Sequence, residues 1–275
     1  MPKVKLWEVS DEFWKRVEPF IPEKKRDPEK QYQRKAGAGR KPKDPRKVFE
    51  GIIYVLRTGC QWKALPSERY GSASSVHSYF RTWLKQGFFL SLWQAGLAEY
   101  DDMEGIAWSW QSLDGTMLKA PLGGMEDAGP NPTDRGKKRG SKRHLLVDGH
   151  GVPLSLVVTG ANRHDSTQVG AVLDTLVSPV PEGIKHWLYA DKGYAGEPVD
   201  RQLKERGYAS RVIRKKRKPG RPPKNRRWVV EAAHSWFNRF RKLLVRYEKK
   251  TESYLALLHL AAAIICWRKV APIYG

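Results

Sequence analysis

The order of apolar segments after residue 105 constrains the fold more than any other feature of the chain. Ile106–Lys119 is rich in Trp and other strand formers and carries Asp114 near its middle. Leu145-Leu146-Val147 and Val152–Thr159 flank Asp148-Gly149-His150-Gly151, which reads as a tight turn between antiparallel strands, with Asp148 a turn residue. Downstream, the pattern predicts a helix over 166–177, a strand His186–Ala190 ending at Asp191, and a helix near 197–206. A short strand at 208–213, a basic loop at 214–225 and a long helix from about 226 to 247 complete it.

Three strands, helix, strand, helix, strand, helix is the order of a ribonuclease-H-like α/β domain. What precedes it is helical. Ser10 is a candidate N-cap for a helix over 10–20, with Phe13, Trp14, Val17 and Phe20 at helical spacing and Pro22 as its stop. A basic linker, 23–47, contains the extended run Gly39-Arg40-Lys41-Pro42 and is expected to be mobile until it meets a polyanionic partner. Helices follow over Pro45–Thr58, ending at Gly59, and over Ser72–Gln86, with Val76, Phe80, Trp83 and Leu84 inward. This pair is compatible with a helix-turn-helix whose second helix shows Ser74, Ser75, His77, Ser78 and Arg81 to solvent or to a groove; taken alone, an ordinary helical pair with a polar face is the commoner reading. The acidic stretch Glu99–Glu104 separates a helical domain, 1–104, from the α/β domain, 105–275.

Charge narrows the partner without naming it, because ribosomal, histone-like and membrane-surface proteins are also basic. With 51 Lys+Arg against 29 Asp+Glu, the net charge is +22, a field that attracts polyanions. A disordered basic tail is excluded by 40% apolar residues and 11 Trp. Trp108, Trp110, Trp187 and Trp236 sit at core-like spacings. Cys60 and Cys266 form neither a zinc motif nor a disulfide framework. The start, MPKVKLWEVSDEFW, lacks the apolar run of a signal peptide, and Leu255–Trp267 reads as a buried helix, so a cytoplasmic protein without a membrane partner is expected.

Asp114 on the first strand, Asp191 at the end of a later strand and Glu231 near the start of the long helix could converge from three elements. Separately, each has a bland alternative: a turn, a helix cap, an ion-pair partner. Together, such carboxylates repel one another unless divalent cations hold them ionised, and hard oxygen ligands suit Mg²⁺. Two ions roughly 4 Å apart can activate a water or 3′-OH on one side of a phosphate and stabilise the leaving oxygen on the other.

LDGT at 113–116, YADKGY at 189–194 and RRWVVEAAHSWFNRFRKL at 226–243 resemble the three motifs of DDE transposases of bacterial insertion sequences, in the insertion-sequence-five family. GCQWKALP at 59–66 resembles that family's N-terminal DNA-binding region, and TGANRHDS at 159–166 the segment between its first two aspartates. The resemblance implies Asp114, Asp191 and Glu231 as catalytic metal ligands for two Mg²⁺ ions, with Mn²⁺ as a substitute. It departs from the broader pattern at Asn238, where that pattern has Lys, and at Lys224, where it has Tyr; Arg227 is kept. On one continuous helix Glu231, Asn238 and Lys242 would share a face, placing Asn238 or Lys242 beside DNA.

Further DNA contacts are expected from two basic loops. Residues 135–143 hold six cations, among them Lys137, Lys138, Arg139, Lys142 and Arg143; residues 211–227 hold ten, among them Arg217, Lys218 and Arg221. Pro219-Gly220-Arg221-Pro222 resembles an AT-hook core. His164 and Asp165 are candidates for groups supporting the site, or for a strand-to-helix cap. The resemblance implies a transposase, a homodimer on double-stranded DNA, that binds the terminal inverted repeats of its element and carries out metal-dependent strand cleavage and transfer to target DNA. A domesticated DNA-binding protein and a metal-dependent nuclease or resolvase are the rivals.

Overall fold

The computed structural model describes residues 7–23, 29, 31, 33, 35, 41–134, 136, 138–212 and 228–270. Arg40, Lys137, Arg217, Lys218, Arg221, Arg227 and the whole AT-hook-like run lie outside the described residues.

The N-terminal part is helical. Helix α1 (Asp11–Val17) begins where Ser10 Oγ accepts the Phe13 N–H at 3.1 Å. Helix α2 (Pro45–Thr58) ends at Gly59, whose φ of 73° lets the chain leave the helix left-handed. After the short α3 (Ser67–Tyr70), α4 (Ala73–Lys85) buries Val76, Phe80 and Trp83 and turns Ser74, Ser78 and Arg81 to solvent. Sequence periodicity missed α5 (Phe88–Glu104): the acidic stretch 99–104 is its last turns rather than a break.

The strands are β1 (Trp110–Lys119), the two-residue β2 (Gly129–Pro130), β3 (Arg139–Val147), β4 (Pro153–Gly160), β5 (His186–Tyr189) and β6 (Tyr208–Ser210). They form one sheet in the order β4-β3-β1-β5-β6, with β2 pairing the start of β3. β3 is antiparallel to β1 and β4, whereas β5 and β6 continue parallel to β1. This is the ribonuclease-H-like arrangement that element order suggested. The β3–β4 turn closes on Asp148, fully buried, whose Oδ1 accepts the N–H groups of His150 and Val152. The expected helix over 166–177 is shorter, α6 (Val169–Asp174) after a 3₁₀ turn, and α7 (Glu197–Glu205) precedes β6.

Two corrections concern the basic segments. Residues 139–143 are strand, not loop, and because β3 lies between β1 and β4 its residues 140–147 are buried. The long helix also stops early: α8 spans Trp228–Asn238, and the chain turns to bury Phe240 and Leu243 against α2, with the Arg57 guanidinium 4.0 Å over the Phe240 ring. Lys242 therefore sits in the following 3₁₀ turn, off the face of α8.

The final helix, α9 (Thr251–Val270), is long and apolar enough to cross a membrane by length and composition, yet it is the core helix of this fold. It packs on α5 and β4, and Gly96 permits close approach, since a Cβ there would lie 3.1 Å from the Ala263 carbonyl. Phe13 meets Trp267 edge-on at 5.6 Å, and Trp93 donates to the Pro153 carbonyl, so one apolar core runs through helical and sheet parts.

Candidate active site

Strand register places the two aspartates. β1 and β5 run parallel with Trp110, Gln111 and Ser112 opposite Trp187, Leu188 and Tyr189. Asp114 lies two residues beyond Ser112 on β1, and Asp191 two residues beyond Tyr189, the partner of Ser112, where β5 has already ended. Asp191 follows the end of β5 and caps the next turn, Oδ1 accepting the Gly193 N–H at 2.7 Å.

Helix α8 packs on β1 and β3 and brings a third element to this point. His234 Nε2 lies 3.5 Å from Asp114 Oδ2, and Glu231, one turn earlier, shares that side of the helix. Arg143, opposite Thr116 on β3 and fully buried, points Nη2 at His234 Nδ1 at 3.0 Å, with its guanidinium 4.9 Å from the Phe237 ring. A guanidinium can only donate, so Nδ1 accepts and the ring proton sits on Nε2, facing Asp114. Burial, and then the Arg143 charge, push the His234 pKa down to about 3, so the ring is neutral near pH 7.

The opposite face of the sheet carries a second polar group. Lys142 and His144 alternate with Arg143 along β3, and Lys142 Nζ stands 2.9 Å from Asp165 Oδ1 and donates to the Arg163 carbonyl. His144, its pKa pushed down to about 4 by burial, lies 3.7 Å from the same carboxylate oxygen. Gly115 is needed between them, because a Cβ there would come within 2.7 Å of Asp165 Oδ1. The Gly after Asp114 thus marks close approach within a strand, not a turn. Asp165 backs the sheet behind Asp114, while His164 is exposed and bonded locally to Ser166 Oγ at 2.7 Å.

Several expected DNA contacts are interior groups. Lys142 is engaged by Asp165, Arg143 by His234, and Lys242 pairs with Glu248 at 3.1 Å, all three at most 5% exposed. A buried cation already paired within the fold is not available to a phosphate, so these three assignments are corrected. Lys41, Ser74, Arg81, Lys138, Arg139 and Asn238 are exposed; Asn238 Oδ1 also accepts from Arg143 at 3.4 Å. His77 is half-buried, its ring 4.9 Å from Trp62, and its pKa is lowered by burial and by Arg81. The packing reading of the four Trp accords with Trp108 being buried, Trp110 stacked on Tyr189 at 3.7 Å, Trp187 lying under Arg211 and Trp236 under Lys269.

Among the described residues no three His, Cys, Asp or Glu side chains stand close enough to hold a metal ion, so Glu231 is not drawn into one cluster with the aspartates. The donor chemistry nevertheless suits a hard divalent cation: Asp114 on β1, Asp191 just beyond β5 and Glu231 on α8 are all carboxylates. Sequence reading missed His234 as a partner of Asp114. Its signal was the helical spacing of three from Glu231.

Residues 9–93 match the family model of IS4/5 transposases, and 111–266 match the transposase DDE domain. Over 151 residues, 52% of this chain and 70% of the relative, the chain is 36% identical to a protein of Burkholderia cepacia assigned as the transposase for insertion sequence element IS402. It is also 30% identical over 125 residues, 45% of this chain and 80% of the relative, to the uncharacterized 16.2 kDa protein of insertion element IS402 from that organism. The Mos1 strand transfer complex aligns with a TM-score of 0.32 at 10% identity, covering 86% of this chain and 81% of that one, a likeness too weak to define the fold. Since the DDE domain model alone matches more than half of the residues, the chain belongs to the DDE transposases of the IS4/5 insertion-sequence family.

Proposed function

We propose that this transposase binds the terminal inverted repeats of its element as a homodimer, and that Asp114, Asp191 and Glu231 hold two Mg²⁺ ions, for which Mn²⁺ substitutes, to cut the ends and join them to target DNA. The observation that supports this reading best is that β1 and β5 run in parallel toward Asp114 and Asp191, while α8, which bears Glu231, packs on β1 with His234 Nε2 3.5 Å from Asp114 Oδ2. Bound cations supply activation of a water or 3′-OH and stabilisation of the leaving oxygen. The residues of the chain do the positioning. His234, its proton placed by Arg143, directs an N–H at Asp114, and Asp165 supports the same strand from behind through Gly115. The helical part, 1–104, recognises the ends, and the α/β part, 105–275, carries the chemistry.

DNA contacts are assigned to the exposed groups Lys41, Ser74, Arg81, Lys138, Arg139 and Asn238 and to the half-buried His77. Arg40, Lys137, Arg217, Lys218, Arg221 and Arg227 are assigned to DNA on their charge. A dimer is required because two ends must be paired. Incubation with Mg²⁺ and a duplex carrying the inverted repeat tests the whole reading. Asp114→Asn, Asp191→Asn and Glu231→Gln should each abolish cleavage and leave end binding nearly intact, because each removes a metal ligand and no groove contact. Wild-type cleavage by any of the three would remove that residue from the site. Binding without products would mark a domesticated binder, and cutting without joining a nuclease.

A further inference from the structure

Two hollows flank the ridge formed by His77 and Arg81 on α4. One, of about 400 Å³, runs along the helix toward Ser74 and Lys85. The other, of about 340 Å³, is bounded on its far side by Tyr247, Lys249 and Lys250, which belong to the segment leading into α9. A surface assigned to the helical part thus has a second wall from the catalytic part.

That wall is anchored from within. Arg246 and Glu248 are buried whereas Tyr247 and Lys249 are exposed, the alternation of an extended segment. The Arg246 guanidinium donates to Ser141 Oγ at 2.8 Å, to the Asp127 carbonyl at 3.1 Å and to Thr251 Oγ1 at 3.0 Å, and its backbone N–H donates to the Lys119 carbonyl at 2.9 Å. Lys242 neutralises Glu248, the one acidic side chain among the described residues lining this hollow. Facing out are the cations Arg81, Lys249 and Lys250 and the half-exposed Tyr247 ring. The exposed pairing of Lys250 with Glu252, at 3.9 Å, is too weak to hold that ammonium against a phosphate. A positive groove with fixed walls and an aromatic ring at its lip suits a sugar–phosphate strand.

We propose that Tyr247–Lys250 is a second DNA-contacting wall: Lys249 and Lys250 bind phosphates of the duplex whose base edges α4 faces, and Tyr247 packs on the intervening sugar. This rests on the reading of α4 as the helix that meets the element ends. Because Arg246 ties the wall to β1 and β3, the end DNA would be gripped by the sheet that carries Asp114.

Fluorescence anisotropy over a salt series, with an inverted-repeat duplex and a scrambled one, tests it. Lys249→Ser with Lys250→Ser should weaken both duplexes alike and flatten the plot of log affinity against log salt by about 1.8, two phosphates at roughly 0.9 each. Tyr247→Ala should weaken both without changing the slope. Lys15→Ser with Lys204→Ser, an equal loss of charge at exposed sites elsewhere, should leave the slope unchanged. An unaltered slope in the Lys249/Lys250 variant, or an equal change in the Lys15/Lys204 control, overturns the wall. Loss of end preference in Arg81→Ala beside unaltered Lys249/Lys250 binding keeps the function and discards the wall. Wild-type protein that binds neither duplex discards both.

Discussion

His234 stands between a guanidinium that can only donate and a carboxylate that can only accept, which puts its single proton on Nε2, 3.5 Å from Asp114 Oδ2. Outer partners of this kind typically contribute 10- to 100-fold in metal affinity or activity. His234→Phe is accordingly expected to lower cleavage by about that factor and to weaken Mn²⁺ binding measured by calorimetry, while His234→Gln, which keeps an N–H, recovers part of both. Equal Mn²⁺ affinity in wild type and His234→Phe would show that Asp114 needs no such partner. The residue scale also explains why the cations of 142 and 143 were misread from sequence. A run of Lys and Arg looks solvated, but alternation on a central strand sends Lys142 to Asp165 on one face and Arg143 to His234 on the other.

At the scale of elements, helical and sheet parts meet along α5 and α9. Gly96 makes that seam close: a Cβ there would lie 3.1 Å from the Ala263 carbonyl and 3.3 Å from Trp267 Cε2. Gly96→Leu should overpack the seam and cost about 1–3 kcal/mol, read as a lower urea midpoint at constant slope. An unchanged midpoint would mean that the helices part without loss. Helix α8 illustrates how periodicity misleads about length. The apolar pattern continues through Phe240 and Leu243, but these side chains belong to the interface with α2, so the helix ends and Lys242 leaves the face it was assigned to.

Across the whole molecule, pH reports on the α5–α9 interface through His259, largely buried beside Trp93 at 5.3 Å, with its pKa lowered to about 4 by burial. The unfolded chain takes up this proton near its ordinary pKa of about 6.5, before the folded chain can. Stability is therefore complete above about pH 6.5 and declines as pH falls toward 4. His259→Leu should remove up to about 1.4 kcal/mol per pH unit from that slope, measured by urea unfolding at pH 7 and pH 5; identical slopes would show that the ring is hydrated. The α/β order, the cap at Ser10, the turn at Asp148 and the apolar character of α9 were legible in the amino-acid order alone. Those features are local, set by periodicity, turn chemistry and short motifs. The folded chain was needed to show that Gly115 makes room for Asp165, that His234 and Arg143 stand beside Asp114, and that Lys142, Arg143 and Lys242 are interior. These depend on strand order, register and helix packing, which join residues up to 91 positions apart, as Arg143 and His234 are. No local pattern encodes such distances.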